Sequence, residues 1–409
     1  VGDASIQDSR LGNGIRVVTD AMPEARSVSI GVWAAVGGRD EPPALAGASH
    51  FLEHLVFKGT ASRSARQIAE AIDGVGGSMN AFTTSEHTAY HCRLPHERLE
   101  LGLEVLGDVL TVPAFRANDV EAERNVILEE IDMNLDLPED WVHTLLAEAM
   151  FPEHPLGREV LGTEQTVSAM TRDEIAGFFN ERYQAANLVV VAAGRLDHDA
   201  LVAAAESTLG TLEGGERATR LAPVLPPRPE VSEHKDTEQS HVAIGWRGVP
   251  HTHPDRYAVG VLNQILGGGT SSRLFQEIRE ERGLAYAVYS YASSYQDSGA
   301  VVVYAGTSPE HVPEVMGLVD EQVDKLIHDG PTVQEVAVAT GYLEGSMLLG
   351  LEDTGGRMGR LGRNLMARDD LVTIEEHIEH IRAVTGADVQ RVANDILGAP
   401  RTLATIGPR

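Results

Sequence analysis

The sequence predicts an α+β protein of two homologous α/β-sandwich-like domains of roughly 200 residues, each a mainly antiparallel sheet with helices packed on it. Three observations lead there. Val28-Ser29-Ile30-Gly31 recurs as Val242-Ala243-Ile244-Gly245, and Thr171-Arg172-Asp173-Glu174-Ile175 recurs as Thr385-Gly386-Ala387-Asp388-Val389, both at an offset of 214 (242 less 28, 385 less 171). Each copy mixes strand-like with helix-like apolar periodicity. Gln296-Asp297-Ser298-Gly299 separates two strand-like runs in the manner of a hairpin turn, which makes part of the sheet antiparallel.

Taken in order, Ser27 to Ala35 reads as a strand, and Leu45 to Phe57 as a helix. Pro42-Pro43 stand ahead of that helix, Lys58 lies in its last turn, Gly59 follows, and no proline interrupts it. Ala65 to Ile72, Leu99 to Leu110 and Val120 to Leu135 carry helical spacing, while Asn80 to Leu94 alternates like a strand. A helix opening at Thr171 leads to the strand Leu188 to Ala193 and Gly194, as one opening at Thr385 leads to Leu403 to Ile406 and Gly407. In the second copy Val242 to Trp246, Tyr286 to Tyr295 and Val301 to Ala305 read as strands and Arg256 to Leu266 as a helix. Glu213 to Glu230, with Gly214-Gly215 and Pro223, Pro226, Pro227 and Pro229, has linker composition, so the expected domains are 1–212 and 231–409, joined by 213–230.

Composition narrows the function classes. At 409 residues, 42% apolar and 23% charged, the chain is a soluble globular protein too long for one core. A net charge of −28 argues against nucleic acid and anionic membrane as partners and suits cationic peptides. Cys92 is the only cysteine, so no internal disulfide and no cysteine zinc ligand is available, which fits a reducing compartment. With no apolar run of about 18 residues and no targeting segment in Val1-Gly2-Asp3-Ala4, a cytoplasmic location is expected. A presequence removed on maturation would leave no trace.

The most informative motif is His50-Phe51-Leu52-Glu53-His54. At about 100° per residue the two imidazoles project about 40° apart on one helix face, and Glu53 lies on the flank about 60° from His50. This is a zinc-protease motif in inverted order: two nitrogen ligands, and a carboxylate placed to touch a water rather than the ion. Phe51, Leu52, Leu55, Val56 and Phe57 make the segment too apolar for a solvated helix, so its ionisable groups need a partner. Carried forward by 214, His50, Glu53 and His54 become Gln264, Gly267 and Gly268, which build no such site. A third ligand must come from elsewhere. Glu123 and Glu130, seven apart on the helix Val120 to Leu135, project from nearly one side of it; Glu129 points about 100° away from Glu130 and is the weaker choice.

His50 to Thr60, followed by Glu123-Arg124-Asn125-Val126-Ile127-Leu128-Glu129-Glu130, resembles the pitrilysin and insulin-degrading-enzyme superfamily of zinc peptidases. It is most similar to the half-size branch that contains the mitochondrial processing peptidase and its bacterial relatives. The resemblance implies one Zn²⁺ per chain held by His50, His54 and Glu130, with Glu123 supporting the site and Glu53 as general base. Gly77 to Thr83 is similar to the family's edge strand, which implies that Asn80, Ala81 and Phe82 pair with an extended substrate. Leu274 to Tyr286 resembles the segment whose arginine and tyrosine bind substrate near the scissile carbonyl, here Arg279 and Tyr286. Full-length relatives fold four such domains around a chamber. A two-domain chain is therefore expected to dimerise, as a homodimer or with a related chain, and to put Arg279 and Tyr286 on the partner's zinc. The implied activity is endopeptidase cleavage of unfolded or short, basic peptides; the alternative is a non-catalytic scaffold subunit of a processing complex. Gly267 to Ser272 lacks the lysine of a phosphate loop; the resemblance implies a flexible loop near the substrate path, the alternative being a plain linker before a helix. His87 and His91 are expected to be structural, and His251, His253, His377 and His380 to face solvent.

Overall fold

A computed structural model describes residues 5–408. By packing, the chain divides into two compact units, residues 1–132 with 158–220 and 349–373, and residues 133–157 with 221–348 and 374–409. The first unit holds a six-stranded sheet of β1 (Ile6–Arg10), β2 (Arg16–Ala21), β3 (Ser27–Ala34), β4 (Ser78–Thr83), β5 (Thr88–Pro95) and β6 (Leu188–Gly194), in the order β1-β2-β6-β3-β5-β4. The second holds β7 (Glu230–His234), β8 (Ser240–Gly248), β9 (Ala285–Ser294), β10 (Gly299–Thr307) and β11 (Thr402–Gly407), in the order β7-β11-β8-β10-β9. Every pairing is antiparallel except β2 with β6 and β7 with β11. From β2 and β7 inward the two orders match strand for strand, with β3 and β8, the strands of the repeated Val-x-Ile-Gly, at the same place. The Tyr295 amide donates to the Ser298 carbonyl at 2.8 Å in the β9–β10 hairpin, as expected from the turn residues.

The helices in chain order are α1 (Ala48–Leu55), α2 (Ala65–Asp73), α3 (Leu99–Thr111), α4 (Ala117–Asp136), α5 (Pro138–Met150), α6 (Glu164–Ala169), α7 (Arg172–Arg182), α8 (His198–Leu209), α9 (Arg256–Leu266), α10 (Val312–His328), α11 (Val333–Gly350), α12 (Thr354–Arg368), α13 (Ile374–Arg382) and α14 (Gly386–Leu397). None among the described residues is long and apolar enough to cross a membrane. The repeated Thr171 and Thr385 cap α7 and α14 alike, each hydroxyl accepting from the amide three residues on.

The expected division at 212 and 231 fails in two places, because each half of the sequence gives a helix to the other half's sheet. Val142, Leu146 and Met150 of α5 pack on Ala243, Tyr304 and Ala404 in the second unit. Met358, Leu361 and Leu365 of α12 pack on Trp33, Val189 and Val191 in the first. The repeated glycine explains the fit. A Cβ at Gly31 would meet Met358 Sδ at 3.0 Å, and one at the equivalent Gly245 would meet Met150 Sδ at 2.3 Å. Both glycines let the donated helix settle onto the strand. The linker 213–230 is tied down by Arg220, which donates to both oxygens of Asp40 at 2.9 and 2.7 Å.

Helix α1 is shorter than the predicted 45–57, and the cause is at its start. Pro43–Leu45 is a separate 3₁₀ turn, and Gly47 has φ 96°, where a Cβ would meet the Leu161 carbonyl oxygen at 2.6 Å. The first turn of α1 is satisfied by the buried Glu41, whose Oε2 and Oε1 accept from the Gly47 and Ser49 amides at 2.8 and 2.7 Å. Phe51, Leu52 and Leu55 are fully buried on the inner face, each worth about 1.5–3 kcal/mol. Anchored at its N-terminus and along that face, α1 has little freedom to reorient.

Burial pushes the Glu41 carboxyl up from 4.5 to about 7, with the two backbone donors and the Arg158 guanidinium acting against the shift. The folded chain therefore keeps a proton that the unfolded chain has already lost between those values. Stability from this group is full below about pH 4.5, declines as pH rises to about 7 and is level beyond. Urea denaturation of wild type and Glu41→Gln across pH 4 to 8 should show the wild type losing stability relative to the variant as pH rises through that window. A difference independent of pH would contradict the account.

Candidate metal centre

Two helices of the first unit build the site. α1 presents His50 and His54 on the same face, their rings 4.7 Å apart between centroids and inclined at 61°. α4 presents Glu130, whose Oε2 lies 3.7 Å from His50 Nε2 and 3.7 Å from His54 Nε2. Among the described residues this is the one group of three metal-ligating side chains that converges, with all three donor atoms within 4.8 Å of one another. Donors each about 2.0–2.2 Å from a tetrahedral ion lie about 3.3–3.5 Å apart, so the two histidine–Glu130 separations of 3.7 Å need only a few tenths of an ångström of closure. The donor types agree: two imidazole nitrogens and a carboxylate leave a fourth position open, the pattern of catalytic rather than structural zinc.

The protonation states agree as well. Burial, with His54 beside it, pulls His50 down from 6.5 to about 4, so at neutral pH its ring is the uncharged form that ligates. Glu123, about two turns before Glu130 on α4, faces His54 from behind. Its Oε2 lies 3.1 Å from His54 Nδ1, which fixes the tautomer with Nδ1–H donating and Nε2 free for an ion. Its other oxygen, Oε1, lies 2.6 Å from Lys58 Nζ. Glu129 is exposed, as its angular position implied. His50 differs from His54 in one respect: its Nδ1 is buried with no hydrogen-bond partner.

Glu53 stands on the flank of α1 and is not among the converging ligands. Its Oε2 accepts from the Thr83 hydroxyl at 2.6 Å. Burial, with Glu130 adding to it, raises its carboxyl above the usual range, while Thr83 and His54 restrain the shift. Thr83 was not singled out from the sequence; the signal for it was its place as the last residue of the Gly77 to Thr83 segment. The last six residues of that segment form β4, the outermost strand of its sheet, and among the described residues only β5 pairs with it, leaving the other edge of Asn80, Ala81 and Phe82 without a strand. α1 packs against β4.

Arg279 and Tyr286 come together in the second unit. Arg279 Nη1 donates to the Tyr286 carbonyl at 2.7 Å, and its guanidinium stacks over the Tyr286 ring 4.4 Å from the centroid. Arg279 lies on a short π-helical segment, Phe275–Glu280, and Tyr286 on the outermost strand β9 with 77% of its surface exposed. Gly267 and Gly268 are packed closely against Ser290 and Gln264. The histidines expected at the surface divide. His380 is exposed, as expected, with its ring stacked on Tyr257 at 4.8 Å and 9°, whereas His377 is half-buried against the same ring because α13 lies against α9. His87 sits against Trp33, 5.4 Å between centroids, and His91 faces Phe82.

Residues 16–164 match the family model described as insulinase, peptidase family M16, and residues 169–340 match the model described as peptidase M16 inactive domain. An uncharacterized zinc protease of Streptomyces coelicolor is 45% identical, over 100% of this chain and 90% of its own length. The uncharacterized zinc protease YmxG of Bacillus subtilis is 38% identical over 97% of both. Two solved structures share the fold. A protease from Helicobacter pylori has a TM-score of 0.93 at 22% identity, covering 98% of this chain and 99% of that one. A peptidase M16 inactive domain from Pseudomonas fluorescens has a TM-score of 0.93 at 23% identity, covering 99% and 98%. The matched inactive-domain region, 169–340, includes Gln264, Gly267 and Gly268, which stand where the zinc motif would recur. Its ligand geometry, its internal duplication and its relatives together place this chain in the insulinase family, peptidase family M16, of the pitrilysin superfamily, as a half-size member.

Proposed function

We propose that the chain is a zinc-dependent endopeptidase that hydrolyses unfolded peptides inside a chamber formed by two subunits. The observation that carries this reading is Glu53, a carboxylate with raised proton affinity held beside, and outside, a three-ligand metal site. Zn²⁺ in such a site would lower the pKa of water toward about 7 and polarise a carbonyl. Glu53 takes the proton of the attacking water on Oε1, since Oε2 is engaged by Thr83. It then returns that proton to the leaving amine. An extended peptide pairs with the open edge of β4 at Asn80, Ala81 and Phe82, which brings its backbone alongside α1. The net charge of −28 favours basic peptides.

The half-size chain carries one such site, so we further propose a dimer. Arg279 and Tyr286 of one subunit then supply donors to the carbonyl oxygen at the partner's zinc. Their mutual contact and the exposure of Tyr286 support that role.

Glu53→Gln should retain one zinc per chain and lose about 10²–10⁴-fold in turnover of an unstructured basic peptide. Undiminished cleavage would refute the assignment. Wild type that binds zinc yet cleaves no member of a peptide library would instead assign the chain to the non-catalytic scaffold role. For the dimer, mixing Glu53→Gln with Tyr286→Phe subunits should restore activity through one intact site per mixed pair. Absence of recovery would place both sets of residues within one chain's site.

A further inference from the structure

The segment after α1 is held as firmly as the helix, and the mechanism above does not use it. Val56–Lys58 continues α1 as one 3₁₀ turn. Gly59 then reverses the chain at φ 127°, where a Cβ would meet Arg116 Nη1 at 2.6 Å and the Arg63 carbonyl oxygen at 2.9 Å. Thr60 is fully buried. Its hydroxyl donates to Asp108 Oδ2 at 2.8 Å and accepts from the Ser62 and Arg63 amides at 3.1 and 2.9 Å. The Ala114 amide donates to the Gly59 carbonyl at 3.0 Å, and Arg116 donates to the Lys58 and Thr60 carbonyls at 3.4 and 3.1 Å. Such a clamp around one short turn fixes where the Lys58 side chain begins. That side chain ends on Glu123, Nζ 2.6 Å from Oε1.

We infer that Lys58 is a positioning residue of the metal centre, acting through Glu123: its ammonium holds the carboxylate so that Oε2 meets His54 Nδ1. The inference rests on the reading of His50, His54 and Glu130 as zinc ligands. Glu123 lies at the junction of two demands. Its side chain is only 7% exposed, so a lone carboxylate there would lack both water and a counter-charge. Deprived of Lys58, it relieves that cost by swinging out toward water, and that movement withdraws the acceptor that sets the tautomer and tilt of His54. Lys58 pays no comparable penalty, since its own side chain is 40% exposed. The ion pair also matters for charge. With Lys58 present, Glu123 adds nothing net to the site, so a divalent cation on two neutral rings and one carboxylate keeps a net charge of about +1 for a developing oxyanion.

The test reads zinc affinity rather than activity, as a double-mutant cycle by chelator competition on the full chain. Glu123→Ala should weaken zinc about 10–100-fold and Lys58→Met about tenfold. Lys58→Met added to Glu123→Ala should change affinity less than about twofold, because the lysine then has nothing to hold. Lys58→Arg should recover most of the loss. Lys58→Gln, which keeps a donor without the charge, is measured in parallel and should resemble Lys58→Met, so the test does not depend on one variant folding. Unchanged or tighter zinc binding in Lys58→Met and Lys58→Gln, or an equal loss in the Glu123→Ala background, would overturn the inference. Wild type that fails to bind zinc would sink the metal reading itself, and this inference with it.

Discussion

Two imidazoles and a carboxylate confined within a few ångströms of each other, in a half-buried setting, are the constraint on which the rest of this molecule depends. Three donor atoms of the kinds that ligate a divalent cation meet there, and one such ion would engage all three at once. The surrounding features keep that arrangement from relaxing. Glu41 and Gly47 fix where α1 starts, Phe51, Leu52 and Leu55 fix its rotation, and Glu123 with Lys58 fixes the outer edge of His54. Thr83 holds Glu53 in reach of the same volume.

The duplicated architecture shows how one copy keeps this chemistry while both keep the fold. Gly31 and Gly245, at equivalent positions, preserve the close approach of a helix to the sheet, which is a packing requirement in both units. The ligand positions have no such requirement. Gly267 caps the end of α9, its amide donating to the Asn263 carbonyl, and Gln264 is buried in the last turn. The exchange of α5 and α12 means that neither half of the sequence completes its own unit, so the two halves are expected to fold interdependently.

Much of this was legible from residues alone where the signal is local. The hairpin at Gln296 to Gly299, the caps at Thr171 and Thr385, and the helical phase that aligns His50 with His54 all follow from short-range geometry. The choice of Glu130 over Glu123 as ligand came from the family resemblance; helical phase put both on the same side, and the structure separates them by one pointing at Nε2 and the other at Nδ1. What was not legible depends on tertiary placement. A linker rich in proline marks where the chain crosses, yet it does not say which sheet α5 or α12 will cover, because an amphipathic helix fits either. His377 lies in a polar stretch, and only the packing of α13 on α9 half-buries it against Tyr257. Glu41 acts through two hydrogen bonds over 6 and 8 residues of chain and Thr83 through one over 30, relations that periodicity cannot register.

The account stands on one bound ion, and the most direct measurement is the zinc content of the purified chain after exhaustive dialysis, compared with that of His54→Ala and Glu130→Ala. One zinc per chain in the wild type, falling toward zero in both variants while their circular dichroism is unchanged, is the predicted result. Zinc retained in full by either variant, or absent from the wild type after reconstitution, would contradict it.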